Sequence, residues 1–377
     1  MKIGISCYPT YGGSGAVATE LGLKLAEHGH EVHIVSYALP FRLASFHERV
    51  FFHEVEMADY PLFEYPPYSL ALAVSLHDIA TRYELDLVHA HYAIPHAASA
   101  WIAQEMMGSA GPRIVTTLHG TDITLVGMQP SYKPITRFSI LKSDGLTAVS
   151  EFLRGETVTH FQVPDERIRV IPNFIDPDVF HPDRQPCHRA SLAPGGEPIL
   201  MHVSNFRPVK RVTDVIEVFG RVRAARRARL VMVGDGPDRI RAEQRARELG
   251  IESDVLFLGK HATVEELLSC ADAFLLPSEA ESFGLAALEA MASGAPVITS
   301  RAGGLPELVA DGENGYLLDV GDVEGMADAA LELLDDPERA RAMGRAARSW
   351  AVERYSAARV VPEYERFYAD VLAGSRT

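Results

Sequence analysis

Short apolar stretches alternate with helix-patterned ones through the first 150 residues, and the same rhythm restarts after residue 195. The first run predicts strands over residues 3–7, 32–37, 87–90, 114–118 and 145–149, with helices over 16–28, 69–83 and 97–107. The second predicts strands over 199–204, 230–234, 255–258, 273–276 and 296–299, with helices over 213–226, 238–249, 264–270 and 285–292. Strands separated by helices cannot pair as hairpins. They form a parallel sheet, and the helices cover both of its faces. Two such runs predict two α/β domains, each long enough for its own core.

Between the runs lies Ile171-Pro172-Asn173-Phe174-Ile175-Asp176-Pro177, followed by a polar, proline-rich stretch to Pro198 that suits an interdomain connection. The tail after Val323 is helical and charged, with Trp350, Tyr355, Phe367 and Tyr368 available for packing. A net charge of −15 argues against nucleic acid or an anionic membrane as the main partner. The one strong cationic run, Arg221 to Arg229, carries only small apolar neighbours and suits a solvated helix end better than a membrane surface. No apolar run approaches the ~18 residues of a membrane span. Cys7, Cys187 and Cys270 are scattered without a C-x-x-C pair, as expected of buried thiols in a reducing compartment. With no leader pattern ahead of Ile3, a cytoplasmic location is expected.

The sequence E-S-F-G-L-A-A-L-E, from Glu281 to Glu289, follows an apolar run ended by Pro277 and leads into helix-forming residues. Its two carboxylates bracket a predicted strand-to-helix turn. The N–H groups of Ser282, Phe283, Gly284 and Leu285 are then helix-start donors suited to a pyrophosphate. Glu281 in the turn can accept from sugar hydroxyls, and Glu289 along the helix from a ribose. Two solvated glutamates are the plainer alternative. Upstream, Lys210 and Arg207 in Ser204-Asn205-Phe206-Arg207-Pro208-Val209-Lys210 can place positive charge on a diphosphate, or serve as ordinary loop cations. Gly234-Asp235-Gly236 and Gly303-Gly304 lead into helix starts and look mostly architectural.

In the first half, Gly13, Gly15 and Ala18 satisfy the dinucleotide spacing G-x-G-x-x-A. The loop from Cys7 to Gly13 is longer than that fingerprint's tight turn, and no acid follows the second strand to bind an NAD ribose. A glycine loop whose backbone approaches a phosphate or sugar is the better reading. His119-Gly120-Thr121-Asp122 follows a predicted strand, whose carboxyl end should face a ligand crevice. His89, His91 and Tyr92 end a neighbouring strand. A structural histidine remains the alternative for His119. No H-E-x-x-H spacing is present, and the only Asp-x-Asp pair noted, Asp176 with Asp178, lies in the interdomain connection, so no metal is expected.

Together these motifs, with Ala302-Gly303-Gly304-Leu305-Pro306-Glu307, resemble the retaining glycosyltransferases with two facing Rossmann-like domains, the GT-B type. That family includes sucrose-phosphate, mannosyl and glycogen-type synthases, and the likeness covers essentially the whole chain. It implies an α/β fold with the active site in the interdomain cleft. An acceptor-binding domain would span 1–170, with a C-terminal helix over 355–377 crossing back, and a nucleotide-sugar-binding domain would span 171–354. Residues 7–15, 39–42, 91–96 and 147–150 are similar to the bacillithiol-pathway branch, which joins N-acetylglucosamine from UDP-GlcNAc to the hydroxyl of L-malate.

The resemblance implies UDP-GlcNAc and L-malate as substrates, with no cofactor and no metal. Lys210, Glu281 and His119 would carry the chemistry. Gly13, Gly15, Asn205, Arg207, Ser282, Phe283, Gly284, Leu285 and Glu289 would contact the donor. Ser14, Tyr92, Thr121, Arg137 and Arg42 would hold the acceptor. Many family members carry arginine where Asn205 stands, and the malate-directed branch shares the asparagine. A same-fold transferase acting on an inositol phosphate or lipid head group, an NAD-dependent oxidoreductase and a non-catalytic sugar-nucleotide sensor are the alternatives. A homo-oligomer is left open.

Overall fold

The computed structural model describes residues 1–9, 13–40, 42–43, 45–57, 66–186 and 188–374. It divides into two compact units, Met1–Pro172 with Val360–Thr377, and Asn173–Arg359. Each is built around one parallel sheet.

The first unit runs β1 (Lys2–Ser6), α1 (Gly13–Glu27), β2 (Glu31–Ser36), β3 (Val50–Glu54), α2 (Tyr68–Tyr83), β4 (Leu87–His91), α3 (Ala98–Met107), β5 (Arg113–Leu118), α4 (Lys133–Lys142), β6 (Gly145–Ala148), α5 (Glu151–Phe161) and β7 (Ile168–Val170). All its strand pairs are parallel, in the order β3-β2-β1-β4-β5-β6-β7. Alternation along β4 shows why both faces are covered. Val88 joins Leu72, Leu76 and Ala100 from α2 and α3 in one apolar layer. His89 points the other way, with its Nδ1 2.7 Å from the Tyr368 hydroxyl.

The second unit comprises α6 (Arg189–Leu192), β8 (Ile199–Val203), α7 (Val212–Ala225), β9 (Arg229–Val233), α8 (Arg239–Glu248), β10 (Val255–Gly259), α9 (Glu265–Leu268), β11 (Ala273–Leu276), α10 (Leu285–Ala292), β12 (Val297–Ser300), α11 (Leu305–Leu308), β13 (Gly315–Leu318), α12 (Val323–Asp335) and α13 (Pro337–Tyr355). Its sheet order is β10-β9-β8-β11-β12-β13. Leu200, Met232, Leu275 and Ile298 from the sheet pack with Val215, Phe219, Ala330 and Leu333 from α7 and α12. The last helix, α14 (Ala357–Ala373), starts at the end of this unit, and its residues from Val360 onward count with the first.

Both sheets thus have the doubly wound order in which strand sequence reverses beside the first strand. Ligands of such sheets bind outside the carboxyl ends of the strands at that reversal. It lies between β1 and β4 in the first unit and between β8 and β11 in the second.

The predicted strands are all present within a residue or two. Three were not predicted: β3 is a half-exposed edge, β7 is three residues long and β13 begins with glycine. The glycine loop expected at Gly13–Gly15 is instead the first turn of α1. The preceding residues 10–12, like Cys187 and Phe41, lie outside the described residues. Cys7 and Cys270 are buried, and burial pushes the Cys7 thiol up to about 12. Among the described residues no helix is long and apolar enough to cross a membrane.

Candidate active site

In the second unit, the loops leaving β8 and β11 meet at the strand reversal. Lys210 Nζ lies 2.5 Å from Glu281 Oε1, and both side chains are largely shielded. Ser278 Oγ donates to the same oxygen at 2.9 Å. The main chain ties the loops as well, since Glu279 N donates to Val209 O at 2.8 Å. Beyond Glu281 the chain turns through Gly284 at φ +100° into α10. The first N–H groups of that helix have no partner within it. The Phe283 ring packs edge-on against Tyr355, 5.6 Å between centroids, which fixes the turn from below. Glu289 is a buried carboxylate on α10. Asn205 and Arg207 are exposed on the Lys210 loop.

Two glycine pairs hold these loops in place. A Cβ at Gly303, whose φ is +57°, would lie 1.8 Å from Glu281 O, and one at Gly304 would lie 2.5 Å from Ser282 O. Across the reversal, a Cβ at Gly234 would lie 1.8 Å from Ser204 O, and one at Gly236 2.1 Å from Asn205 O. Only glycine permits such close backbone approach. His202 braces the same loop, between Leu275 O and Ser204 Oγ at 2.8 Å each.

The first unit gathers a different chemistry at its strand reversal. His119 Nε2 is 2.9 Å from His91 Nδ1, with the two rings stacked and Tyr92 beside them. Burial holds both imidazoles low, His119 at about 3, so they are neutral. Asp122 organises the group. Its buried carboxylate accepts from the main-chain N–H of Ala93, His119 and Gly120 at 2.9, 3.2 and 3.0 Å, tying the exits of β4 and β5 together. Tyr92 sits at φ +94°, a strained conformation for a non-glycine residue. Thr121 follows Gly120 in this loop, half-buried. Ser14 is in the first turn of α1, at the carboxyl end of β1. Arg42 pairs with Glu20 of α1 at 3.2 Å.

These arrangements have counterparts among known proteins. Residues 11–179 match the family described as Glycosyltransferase Family 4, and residues 183–350 match Glycosyl transferases group 1. The chain is 49% identical to the N-acetyl-alpha-D-glucosaminyl L-malate synthase of Bacillus anthracis over 99% of its own length and 97% of that protein's. The chain belongs to this glycosyltransferase family. A D-inositol 3-phosphate glycosyltransferase of Stackebrandtia nassauensis is 32% identical over 68% of this chain and 62% of its own. In fold, the sucrose-phosphate synthase of Thermosynechococcus elongatus is similar with a TM-score of 0.84, at 21% identity and full coverage of both chains.

Within this glycosyltransferase the structure brings together Lys210, Glu281 and the start of α10 in one unit, and His119, Tyr92, Thr121 and Ser14 around one strand reversal in the other. It does not bring Arg137 to the latter group. Arg137 lies on α4 and donates from Nε to Phe161 O at 2.9 Å, at the far end of α5. It shares a cavity with Arg113 and Asp144, which stand at the amino ends of β5 and β6. Helix α4 runs back antiparallel to the strands, and that direction carries Arg137 to the opposite edge of the sheet. The sequence reading missed Ser278 and Asp122 as supports. Both were visible as polar residues just past a predicted strand, with nothing in one sequence to say that they turn inward.

Proposed function

We propose that this glycosyltransferase moves N-acetylglucosamine from UDP-GlcNAc to the hydroxyl of L-malate with retention at the anomeric carbon. What carries this reading is the near full-length 49% identity to an N-acetyl-alpha-D-glucosaminyl L-malate synthase, joined to the Lys210–Glu281 pair beside a helix start. Alone, Lys210 and Glu281 satisfy each other. An arriving diphosphate draws the ammonium toward its oxygens, while Ser278 keeps Glu281 oriented toward the sugar hydroxyls. Negative charge grows on the leaving phosphate oxygen as the anomeric bond breaks. Lys210, Arg207 and the amides from Ser282 to Leu285 stabilise it, and each such donor contributes about 3 kcal/mol. Glu289 holds the ribose.

We read the step as a front-face displacement: the acceptor hydroxyl attacks from the face the phosphate leaves, and the phosphate oxygen takes its proton. A neutral His119 orients the sugar by hydrogen bonding rather than by charge. Ser14, Tyr92, Thr121 and Arg42 serve malate in the first unit. No divalent metal is required for this chemistry.

UDP release from UDP-GlcNAc, measured with L-malate, an inositol phosphate or no acceptor, tests the assignment. Release should depend on malate. Release driven by inositol phosphate alone would replace the acceptor, and no release with any acceptor would sink the reading.

A further inference from the structure

The cavity that contains Arg137 has a volume of about 690 Å³ and lies at the amino edge of the first sheet, away from His119 and Tyr92. Its walls carry Arg113, Arg137, Lys142 and Arg167, with Asp144 and Asp370. Arg113 is neutralised by Asp144 at 2.9 Å, and Asp370 pairs outward with Arg169 at 3.2 Å. The other three cations have no carboxylate partner among the described residues. Arg167 donates only to Leu141 O and Ser143 O, at 3.1 and 2.7 Å, and so caps the end of α4. Arg137 spends Nε on Phe161 O, which leaves its two terminal nitrogens free among the described residues. Lys142 Nζ rests 5.8 Å from the centroid of the Phe138 ring.

Capping explains part of this pattern, because helix ends attract cations. It covers Arg167 and Lys142, which stands in the last turn of α4, but not the unused prongs of Arg137 in the middle of that helix. Three uncompensated positive charges around one cavity are anomalous on a chain whose net charge is −15. A guanidinium fork with a point ammonium beside it matches a phosphate better than a lone carboxylate. The volume falls in the range of small-molecule sites, and Phe138, Pro134 and Leu141 supply an apolar wall. We propose that this cavity is a second, non-catalytic site that binds a small organic phosphate or diphosphate, independently of the donor site on the second unit.

Isothermal titration of the full chain with pyrophosphate tests this, comparing the wild type with Lys142→Ala and Arg137→Ala. Lys142→Ala removes no structural hydrogen bond and should leave the transfer rate in the absence of pyrophosphate unchanged. Both variants should lose one equivalent of bound pyrophosphate, or weaken one class of sites at least tenfold. Superimposable isotherms for the wild type and Lys142→Ala would overturn the proposal. Citrate binding more tightly than pyrophosphate at the site lost in Lys142→Ala would overturn the phosphate assignment.

Discussion

The two strand reversals have the same topology and opposite electrostatics. In the second unit the loops present an ammonium and a carboxylate in direct contact, supported by glycine-packed backbone. In the first unit the equivalent loops present neutral imidazoles, tyrosines and a carboxylate turned inward onto main-chain N–H groups. A doubly wound sheet supplies only the place. The side chains set on its loops decide whether that place handles charge or shape. A leaving diphosphate needs charge that is already positioned, whereas an uncharged sugar needs orientation.

The largest effect should come from the charged side. Lys210→Ala should cut turnover by on the order of a hundredfold or more, the scale of removing one transition-state donor. Lys210→Arg should recover it only in part, because a planar fork does not replace a compact ammonium. Loss of less than about threefold in Lys210→Ala, measured by steady-state UDP release, would place the diphosphate elsewhere and erase the contrast between the two units.

Next comes the backbone that holds Glu281. Gly303→Ala adds a methyl against Glu281 O at a φ of +57°. It should cost about 3 kcal/mol in a urea unfolding titration, from overpacking combined with backbone strain. A change below about 0.5 kcal/mol would mean that the loop shifts freely, and that its position is not set by the glycine pair.

The third prediction concerns acid and separates the units directly. Burial lowers His89, His96 and His119 to about 3 and holds His91 well below its ordinary value, all in the first unit, against His202 at about 4 in the second. Unfolded histidines titrate near 6.5. As pH falls from about 6.5 toward 3 the unfolded chain therefore binds more protons than the folded one, and stability falls. A single fully buried histidine contributes on the order of 2 kcal/mol by pH 5. Asp122, raised to about 6 by burial, acts in the opposite sense between about 4 and 6, as one group against six once the lowered His33 and His53 of the same unit are included. Hydrogen exchange between pH 7 and pH 5 should show the first unit opening before the second. Equal loss in both would break the comparison.

Much of this was legible in the sequence, because the determining signals are local. Apolar runs ended by proline or glycine mark the strands, and helix α10 spans the residues that the pattern 285–292 predicts. Lys210 and Glu281 were legible for the same reason, since each follows a strand and so must lie at the carboxyl edge. The contact between them was not, because it joins residues 71 apart through loop geometry. Arg137 misled for a related reason. Nearness in sequence to His119 says nothing about where a returning helix carries its side chains. The Gly303–Gly304 pair looked architectural, and its role in fixing Glu281 depends on an approach that only coordinates reveal.

The most direct test of sugar transfer from a nucleotide to malate is the product itself. Wild-type protein incubated with UDP-GlcNAc and L-malate should yield one new glycoside, and the anomeric proton in its NMR spectrum should report the same α configuration as the donor. A β-linked product would contradict front-face displacement, and free N-acetylglucosamine with no malate adduct would contradict the transfer itself.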